Sequence, residues 1–434
     1  MVEPRVPVEA VAEALRGSVG DACVEAACVL EKADVLLLCA GAGFSADSGL
    51  AVYGDIAAIE AYAHAGLQYH DLCRPNVLHE DPEVFWGFWG QCFNDYRGTA
   101  PHAGYEIIAR WVEERFRKSP ISASMQEELR LMQSSGYEWK PDDLEPYHVT
   151  EKAGAFFVIT SNVDAHFYDW FPACEIREVH GSTELFQCAR PKHNACPGVW
   201  RAPSSGFGFR IDKSTMRAPA GEPGTLPSSL DAVSTETSRP SIGNVWSNRR
   251  PDALKYMPES TSRTTTSNFT SNHPQCPFCQ GSARPAVLMF DDADWQDVKS
   301  QLQRKQHWVH ALLNMISLAP VSGPPLAVAI LEVGAGGNVT TIRNSSEQTL
   351  RGCLNAGANA TLIRVNPELP LGDEDDFAPG GKFEKQVISI MARGLDSLRQ
   401  IDASMEAQKA TKAAVNRKEP FRAKPQMRSC HINK

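Results

Sequence analysis

The chain has 434 residues, of which 43 are basic and 52 acidic, so that its formal net charge is −9. This acidic balance gives no reason to expect direct nucleic-acid binding, and the length allows a sizeable hydrophobic core. The N-terminus lacks the basic head and apolar run of a secretory signal, and no apolar run approaches the roughly 18 residues that cross a membrane.

The first predicted strand ends in a glycine-rich turn. Apolar residues at helical spacing over 7–31 predict one or two helices, and the apolar run Val35–Ala40 predicts a strand buried on both faces of a parallel sheet. The run continues into Gly41 and Gly43, where missing side chains would let the backbone approach a phosphate. The segment from about Ser45 predicts a helix whose N-terminus favours an anion. This spacing indicates a dinucleotide-binding turn, with a purely structural glycine turn as the alternative.

Helical patterns follow this turn. Residues 57–67 are small and helix-prone, and the aromatic residues of 81–89 recur at helical spacing. Such a stripe is more typical of a helix core than of a cofactor site. Residues 99–102 form a predicted turn into a helix that runs to about Arg117, because proline fits a first helical turn. A polar stretch over 119–151 precedes the next strand.

Three further strands are predicted over 155–160, 327–333 and 360–365. Apolar strands that alternate with helices indicate a doubly wound α/β sheet. Ligands of such sheets bind beyond the carboxyl ends of the strands, which is where the polar motifs of this chain occur.

Two segments are predicted to lie outside this core. Residues 202–274 are rich in Ser, Thr, Pro and Gly, a composition typical of a disordered insert. The basic residues from 404 to 434 indicate a disordered tail, either simply solvated or used for partner binding or nuclear import.

Cysteine spacing indicates a zinc site. Twelve cysteines are scattered through the chain, which suits a reducing compartment, and we expect a cytoplasmic or nuclear protein. Cys276 and Cys279 form a C-x2-C knuckle, and Cys188 and Cys196 lie before the predicted insert. Four thiolates would make a closed structural zinc site, in which His193 could replace one of them. Free thiols that are near one another by coincidence are the alternative.

The candidate catalytic residues follow the second strand. Asn162 and Asp164 lie at its carboxyl end, and His180 comes 16 residues after Asp164. Taken alone, His180 is as consistent with a structural histidine as with a catalytic one.

Together the motifs resemble the sirtuins, the silent-information-regulator family of NAD-dependent protein deacylases. The likeness spans about 33–403 apart from the insert, and it is closest to the divergent bacterial-type branch. The matching motifs are Gly41–Leu50, Pro101–Gly104, Thr160–Asp164, His180–Gly181, the two cysteine pairs, Arg284–Phe290, the Gly334 turn and Asn366–Glu368.

This resemblance implies a Rossmann-like doubly wound parallel sheet with a small zinc-ribbon domain and a helical module. A lead-in would occupy residues 1–21 and the catalytic domain 22–403, with the zinc module at about 183–290. NAD would be the co-substrate and Zn²⁺ a structural ion held by Cys188, Cys196, Cys276 and Cys279. The other substrate would be an acyl-lysine protein or peptide.

The resemblance also implies residue roles. His180 would be the general base on a ribose hydroxyl, and Asn162 and Asp164 would hold ribose hydroxyls or water and position the carboxamide. Phe290 and its neighbours would pair with the substrate backbone as an added strand. The implied NAD-binding set is Ala40, Gly41, Ala42, Gly43, Ser45, Tyr53, Ser161, Asn162, Asp164, Gly334, Gly336, Asn366 and Glu368.

Several positions depart from the family pattern. The Phe-Arg pair after the glycine turn is Tyr53-Gly54 here, and the glutamine before the catalytic asparagine is Ser161. The Gly-Thr-Ser turn becomes Gly334–Gly336, and Phe-Gly-Glu becomes Phe290–Asp292. One lost charge-assisted phosphate bond costs roughly 1.5–3 kcal/mol, enough to weaken NAD binding tenfold or more.

The sequence therefore favours an NAD-dependent protein-lysine deacylase, which transfers the acyl group to ADP-ribose and releases nicotinamide. An ADP-ribosyltransferase or NAD glycohydrolase is the first alternative, favoured by the missing arginine and glutamine. A noncatalytic NAD-binding scaffold is the second, because the insert and the basic tail are typical of interaction segments.

Overall fold

The structure is a computed structural model. It describes residues 8–51, 59–134, 149, 151–190, 196, 198–225, 268–318 and 323–418.

Nine strands in the described part of the chain form two sheets. The strands are β1 Val35–Ala40, β2 Phe156–Thr160, β3 Ile176–Glu178, β4 Gly181–Cys188, β5 Val199–Arg201, β6 Ala283–Val287, β7 Ala327–Val333, β8 Asn359–Val365 and β9 Val387–Ile390. The larger sheet has the order β3-β2-β1-β7-β8-β9, and every neighbouring pair in it is parallel. The smaller sheet, β5-β4-β6, is antiparallel. The predicted fold class is confirmed.

Twelve α-helices accompany the strands in the described part of the chain. They are α1 Val8–Gly17, α2 Val19–Lys32, α3 Ala42–Ala46, α4 Glu60–His64, α5 Tyr69–Leu72, α6 Val77–Glu80, α7 Pro82–Gly98, α8 Ala103–Trp111, α9 Pro120–Ser134, α10 Lys299–Ser317, α11 Thr341–Ala356 and α12 Gly394–Lys418. A π-helical turn, Val112–Phe116, extends α8. Within the described ranges, none of the helices has both the length and the apolar character needed to cross a membrane.

The centre of the large sheet is buried on both faces. All six residues of β1 are buried, and Leu38 lies beside Val158 of β2 and Leu331 of β7. This explains why β1 has no polar residue, because either face of a central parallel strand packs against helices. The strands on one side of β1, in contrast, contain a buried ion pair, in which Arg364 Nε of β8 lies 2.7 Å from Glu332 Oε1 of β7.

The strand order creates a switch point at the carboxyl end of β1. The chain places β2 and β3 on one side of β1 and β7, β8 and β9 on the other. The loops that leave β1 and β7 therefore diverge, and the crevice between them is where ligands bind in sheets of this kind. The polar motifs after β1, β2, β7 and β8 all lie at this edge.

A second hydrophobic cluster joins α7 to the small sheet. Its largest side chains are aromatic: Trp86 of α7 stacks on Phe209 with ring centroids 4.9 Å apart, and Phe186 of β4 lies 4.8 Å from Phe269. The predicted aromatic stripe of 81–89 is therefore mainly helix core.

The prediction of disorder over 202–274 is wrong at both ends of that segment. Residues 202–225 and 268–274, here called the insert base, are folded, and Phe207, Phe209 and Phe269 are buried. The few apolar side chains of a polar stretch suffice here because α7 supplies the other half of the cluster. Residues 226–267 lie outside the described part of the chain.

Other boundaries also differ from the prediction. The helix α12 extends to Lys418, so the predicted disordered tail begins as a helix, and α2 crosses the predicted boundary at residue 21. The polar stretch contains α9, in which Met125 and Leu129 are buried. In α9 and α12, helices with many polar residues are stabilised by packing of their few buried apolar side chains against the core.

The contact between α7 and the insert base depends on two glycines. A Cβ at Gly90 would lie 2.6 Å from Phe209 Cγ, and one at Gly87 would lie 1.9 Å from the Met216 carbonyl oxygen. We expect Gly90→Ala to lower the free energy of unfolding by about 1–3 kcal/mol, because Phe209 must shift within a packed cluster. Thermal melting of the full chain measures this.

The matched control is Gly20→Ala in α2, where a Cβ would meet no atom within 4 Å. Alanine is favoured over glycine in a helix, so this variant should melt at the same or a slightly higher temperature. Equal melting temperatures for Gly90→Ala and the unmodified protein would contradict the packing described for the insert base.

Candidate active site

A cavity of about 300 Å³ lies at the carboxyl ends of β1, β2 and β3. Six of the predicted site residues line it: Ala42, Ser45, Ser161, Asn162, Asp164 and His180. Their elements are α3 and the loops after β2 and β3. Parallel strands bring these loops to one edge, so residues more than 130 positions apart in the chain share one wall.

Three polar side chains form a hydrogen-bonded cluster in this wall. Ser45 Oγ donates to Asp164 Oδ2, and Asn162 Nδ2 donates to Ser45 Oγ over 2.8 Å. Asp164 Oδ1 accepts the backbone N–H of His166 over 2.9 Å. Asn162 Oδ1 is buried and has no hydrogen-bond partner among the described residues. Because an unsatisfied buried acceptor is costly, this oxygen is suited to a ligand hydroxyl or amide.

His180 faces the same cavity from the loop after β3. Its Nε2 lies 3.3 Å from Thr341 Oγ1 at the start of α11. Burial lowers the pKa of His180 below its usual value and the charge of Arg177 lowers it further, while the Ser161 backbone opposes the shift. This shift favours the neutral ring, which is the form that accepts a proton.

A second titratable group lies behind His180. Glu178 is buried, and its Oε2 lies 3.3 Å from Tyr168 Oη and 3.2 Å from Gln301 Nε2. Burial raises the pKa of Glu178 to about 8, against hydrogen bonds from Gln301, Ser182 and Tyr168, and the charge of Asp164 adds to the rise. Glu178 is therefore largely protonated at pH 7.

Close packing of the glycine turn against the backbone of Gly334 requires glycine at positions 41 and 43. A Cβ at Gly41 would lie 2.6 Å from the Gly334 carbonyl oxygen, and one at Gly43 would lie 2.9 Å from Gly334 Cα. Gly334 itself has φ +68°, where a side chain is strained. The N–H of Gly43 donates to Gly334 O over 2.9 Å, so it is already engaged. The alternative of a structural turn thus explains Gly41 and Gly43.

The Pro101–Gly104 motif holds this turn in place. His102 Nδ1 accepts the N–H of Gly104 over 2.9 Å, so Nε2 carries the proton and donates to Phe44 O, also over 2.9 Å. Burial lowers the pKa of His102 to about 4, although Asp47 and the Phe44 carbonyl oppose the shift. The neutral ring fixes the loop that presents Ser45.

The predicted residues after β7 and β8 lie at the same edge but do not line the cavity. Asn366 Nδ2 donates to Ala335 O over 2.7 Å, and its Oδ1 accepts the N–H groups of Glu368 and Leu369 over 2.8 Å each. This side chain joins the two turns. Glu368 is exposed, and a Cβ at Gly336 would meet no atom within 4 Å, so both border open space.

Of the other members of the predicted NAD-binding set, one is engaged within the sheet and another lies outside the described residues. Ala40 is buried in β1, where its carbonyl oxygen accepts Ser161 N–H and Thr160 Oγ1 over 3.0 Å each. That oxygen joins β1 to β2 and is not available to a ligand. Tyr53 lies outside the described residues.

Sequence reasoning missed the other wall of the cavity. It is formed mainly by Tyr69, Cys73, Phe88, Trp89, Cys92 and Tyr96 of α5, α7 and the residue after α5. Phe88 and Trp89 belong to the stripe of 81–89 predicted as core, and Cys92 and Tyr96 continue the face of Phe88 at helical spacing beyond it. The pattern alone does not separate a helix face that lines a cavity from one that packs in a core.

In the segment predicted to pair with a substrate backbone, two backbone N–H groups already donate hydrogen bonds within the protein. The N–H of Phe290 donates to Cys73 O over 2.8 Å, and that of Leu288 donates to His180 O over 2.9 Å. The side chain of Asp292 is fully buried in an ion pair with that of Arg284, with Oδ1 2.6 Å from Nη2. The expectation that Phe290 adds a substrate strand is therefore not met at its amide, because α5 packs over it.

The four predicted metal ligands come together. The Sγ atoms of Cys188, Cys196, Cys276 and Cys279 all lie within 4.8 Å of one another, and Cys188 and Cys279 are 3.8 Å apart. Tetrahedral zinc with Zn–S distances of about 2.3 Å requires S–S distances near 3.8 Å, so this donor set fits zinc. His193, the predicted substitute ligand, lies outside the described residues.

Comparison with known proteins agrees with the motifs. Over 96 residues, or 22% of this chain, the sequence is 28% identical to an NAD-dependent protein deacylase of Deinococcus radiodurans. The resemblance to the sirtuins is confirmed. The match spans 37% of the length of that relative. No protein-family model matches the chain.

Solved structures of Sir2 homologues align with this chain at low sequence identity. An NAD complex of one homologue aligns with a TM-score of 0.45 and 14% identity, covering 88% of this chain and 94% of that chain. An ADP-ribose complex of a Sir2 homologue variant aligns with a TM-score of 0.44 and 14% identity, covering 89% and 97%.

Proposed function

We propose that the protein is an NAD-dependent protein-lysine deacylase of the sirtuin type. The observation that carries this proposal is the meeting of Ser45, Asn162, Asp164 and His180 in one cavity at the switch point of the sheet. The reaction converts acyl-lysine, NAD and water into lysine, nicotinamide and O-acyl-ADP-ribose.

The residues present fit the nicotinamide end of NAD. Asn162 Oδ1 is a buried acceptor without a protein partner, and the Asp164 carboxylate and Ser45 hydroxyl lie beside it. NAD, when bound, would supply the ribose carbon that exchanges nicotinamide for the acyl oxygen. Asn162 and Asp164 would orient the ribose and carboxamide through hydrogen bonds.

His180 would act as the general base. Its neutral imidazole lines the cavity that holds the proposed ribose site, and it would take the proton of a ribose hydroxyl so that this oxygen attacks the acyl carbon. Thr341, whose Oγ1 lies 3.3 Å from the ring, would orient the imidazole.

The phosphate end of the proposed NAD site has fewer donors than the family pattern. Gly43 N–H is engaged by Gly334, and the sequence has Gly54 where the family has arginine. Gly41, Ala42 and Ser45 with Gly334, Gly336, Asn366 and Glu368 would border the rest of the dinucleotide. We therefore expect NAD affinity below that typical of the family.

Zinc is proposed as a structural ion. The four cysteines occupy every coordination position of a tetrahedral site, which leaves no position for a substrate. The twelve scattered cysteines of the sequence suit a reducing compartment, and a cytoplasmic or nuclear location is proposed on this ground.

One observation favours a different NAD-consuming reaction. The Phe290 amide is bonded to Cys73, so the edge expected to bind an acyl peptide is closed. An NAD glycohydrolase or ADP-ribosyltransferase would not need that edge.

Product analysis separates these functions. The full chain is incubated with NAD, with and without an acyl-lysine peptide library, and products are identified by mass spectrometry. We expect nicotinamide and O-acyl-ADP-ribose only when acyl peptide is present. Free ADP-ribose or labelled protein without acyl peptide would instead support the alternative, and NAD binding by calorimetry without turnover would support a scaffold.

A further inference from the structure

The cavity has two chemically different walls. The wall built from the ends of the parallel strands carries Ser45, Asn162, Asp164 and His180. The other wall is aromatic and apolar, with Tyr69 from α5 and Phe88 and Trp89 from α7. Val287 and Met289, at the end of β6 and just after it, extend the apolar surface. This area is larger than the methyl of an acetyl group needs.

No cationic side chain faces the cavity within the described part of the chain. The lining contains no Lys or Arg, and its carboxylate is Asp164. An acidic acyl group would thus be desolvated beside a carboxylate without a cationic partner, which is strongly unfavourable.

The backbone donors after β6 are already used. The N–H of Leu288 donates to His180 O, that of Phe290 donates to Cys73 O, and that of Met289 lies 3.4 Å from Asp292 Oδ2. A substrate backbone therefore cannot take these three donors as an added strand. The binding free energy of a substrate must come largely from its acyl group, and each buried methylene strengthens binding about fourfold.

We propose that the protein acts on lysine carrying an uncharged acyl chain of several methylenes, seated against Tyr69, Phe88, Trp89 and Met289. This inference rests on the proposed deacylase function. The carbonyl of the acyl group would lie toward the polar wall, and the chain would run along the aromatic wall. Leu288 and Phe290, which are 39% and 36% exposed, would border the entrance.

The test compares three peptides of one sequence that carry acetyl-, octanoyl- or succinyl-lysine, with NAD and the full chain. We expect kcat/KM for the octanoyl peptide to exceed that for the acetyl peptide at least tenfold, with no succinyl turnover above background. Acetyl or succinyl turnover equal to or faster than octanoyl turnover would overturn the inference while leaving the deacylase function intact.

Failure of the proposed function would look different. In that case none of the three peptides would yield O-acyl-ADP-ribose. Calorimetry with the same peptides then decides the inference about the cavity. Tighter binding of the octanoyl peptide would support an apolar acyl site, and equal binding of octanoyl and acetyl peptides would overturn it.

Two variants locate the effect. Cys92→Phe fills the cavity from α7 and should lower the ratio of octanoyl to acetyl turnover at least tenfold. Cys28→Phe is the matched control, because Cys28 is half-buried on α2 and contacts Gln408 away from the cavity. Equal losses on both peptides in Cys92→Phe would contradict the proposed seat.

Tyr69→Arg provides a second route if Cys92→Phe does not fold. Tyr69 is half-buried at the cavity, so a longer cationic side chain can be accommodated. We expect this variant to gain measurable succinyl turnover or succinyl-peptide binding. Unchanged octanoyl preference and no gain for succinyl would overturn the assignment of the aromatic wall to the acyl chain.

Discussion

Replacing His180 by alanine should lower the steady-state rate of O-acyl-ADP-ribose formation from an acyl-lysine peptide by about 10²–10⁴-fold, because general-base catalysis contributes that much. NAD affinity, measured by calorimetry, should change much less, because Asn162, Asp164 and Ser45 remain. His310→Ala is the matched control, since His310 is exposed on α10 and does not line the cavity. Equal turnover by His180→Ala and the unmodified protein would contradict the assigned role.

The pH dependence of the same reaction tests the lowered pKa of His180. His180 must be neutral to accept a proton, so activity is retained above its pKa and falls as the pH drops through it. Burial and Arg177 lower this pKa, so we expect the acid limb of kcat/KM to have its midpoint below about pH 6.5, the usual value for histidine. A midpoint above that value would be inconsistent with the buried ring.

Loss of the zinc site should be the largest effect on stability. Structural zinc contributes about 10–16 kcal/mol in small zinc domains, and Cys276 joins the site to the second hydrophobic cluster. We expect Cys276→Ser to reduce the bound zinc well below one ion per chain and to lower the melting temperature by roughly 10 °C or more. Metal analysis and thermal melting measure the two effects.

A serine substitution at a second buried cysteine distinguishes the destabilisation caused by metal loss from that caused by burying a hydroxyl group. Cys353 of α11 is fully buried in the main core and lies outside the cysteine cluster. Cys353→Ser should destabilise by about 1–3 kcal/mol and keep its zinc. If both variants retain zinc and melt alike, the four cysteines are not a zinc site.

Local pattern was sufficient for the large sheet and for the identity of many site residues. The predicted strand over 327–333 has the observed bounds of β7, because an apolar run between polar loops has one stable place in a parallel sheet. Asn162, Asp164 and His180 follow strands of that sheet, so their meeting at its carboxyl edge could be expected from topology. The spacing of the two cysteine pairs likewise predicted the metal cluster.

The insert base shows where local pattern fails. Phe207, Phe209 and Phe269 lie in a polar stretch whose composition is typical of disorder. They are buried because Gly87 and Gly90 leave room on α7, a surface far away in the chain. No local rule predicts that complementarity, since it depends on two distant segments fitting together.

The sequence by itself determined the fold class, the catalytic candidates and the cysteine cluster, because each depends on residue type and on spacing along the chain. Only the tertiary structure decided that Gly41 and Gly43 are required by the backbone of Gly334, and that the Phe290 amide is closed by Cys73. It also decided that one face of α7 lines the cavity. The physical reason is that space and free hydrogen-bond donors are properties of neighbours in three dimensions, and a linear pattern does not record them.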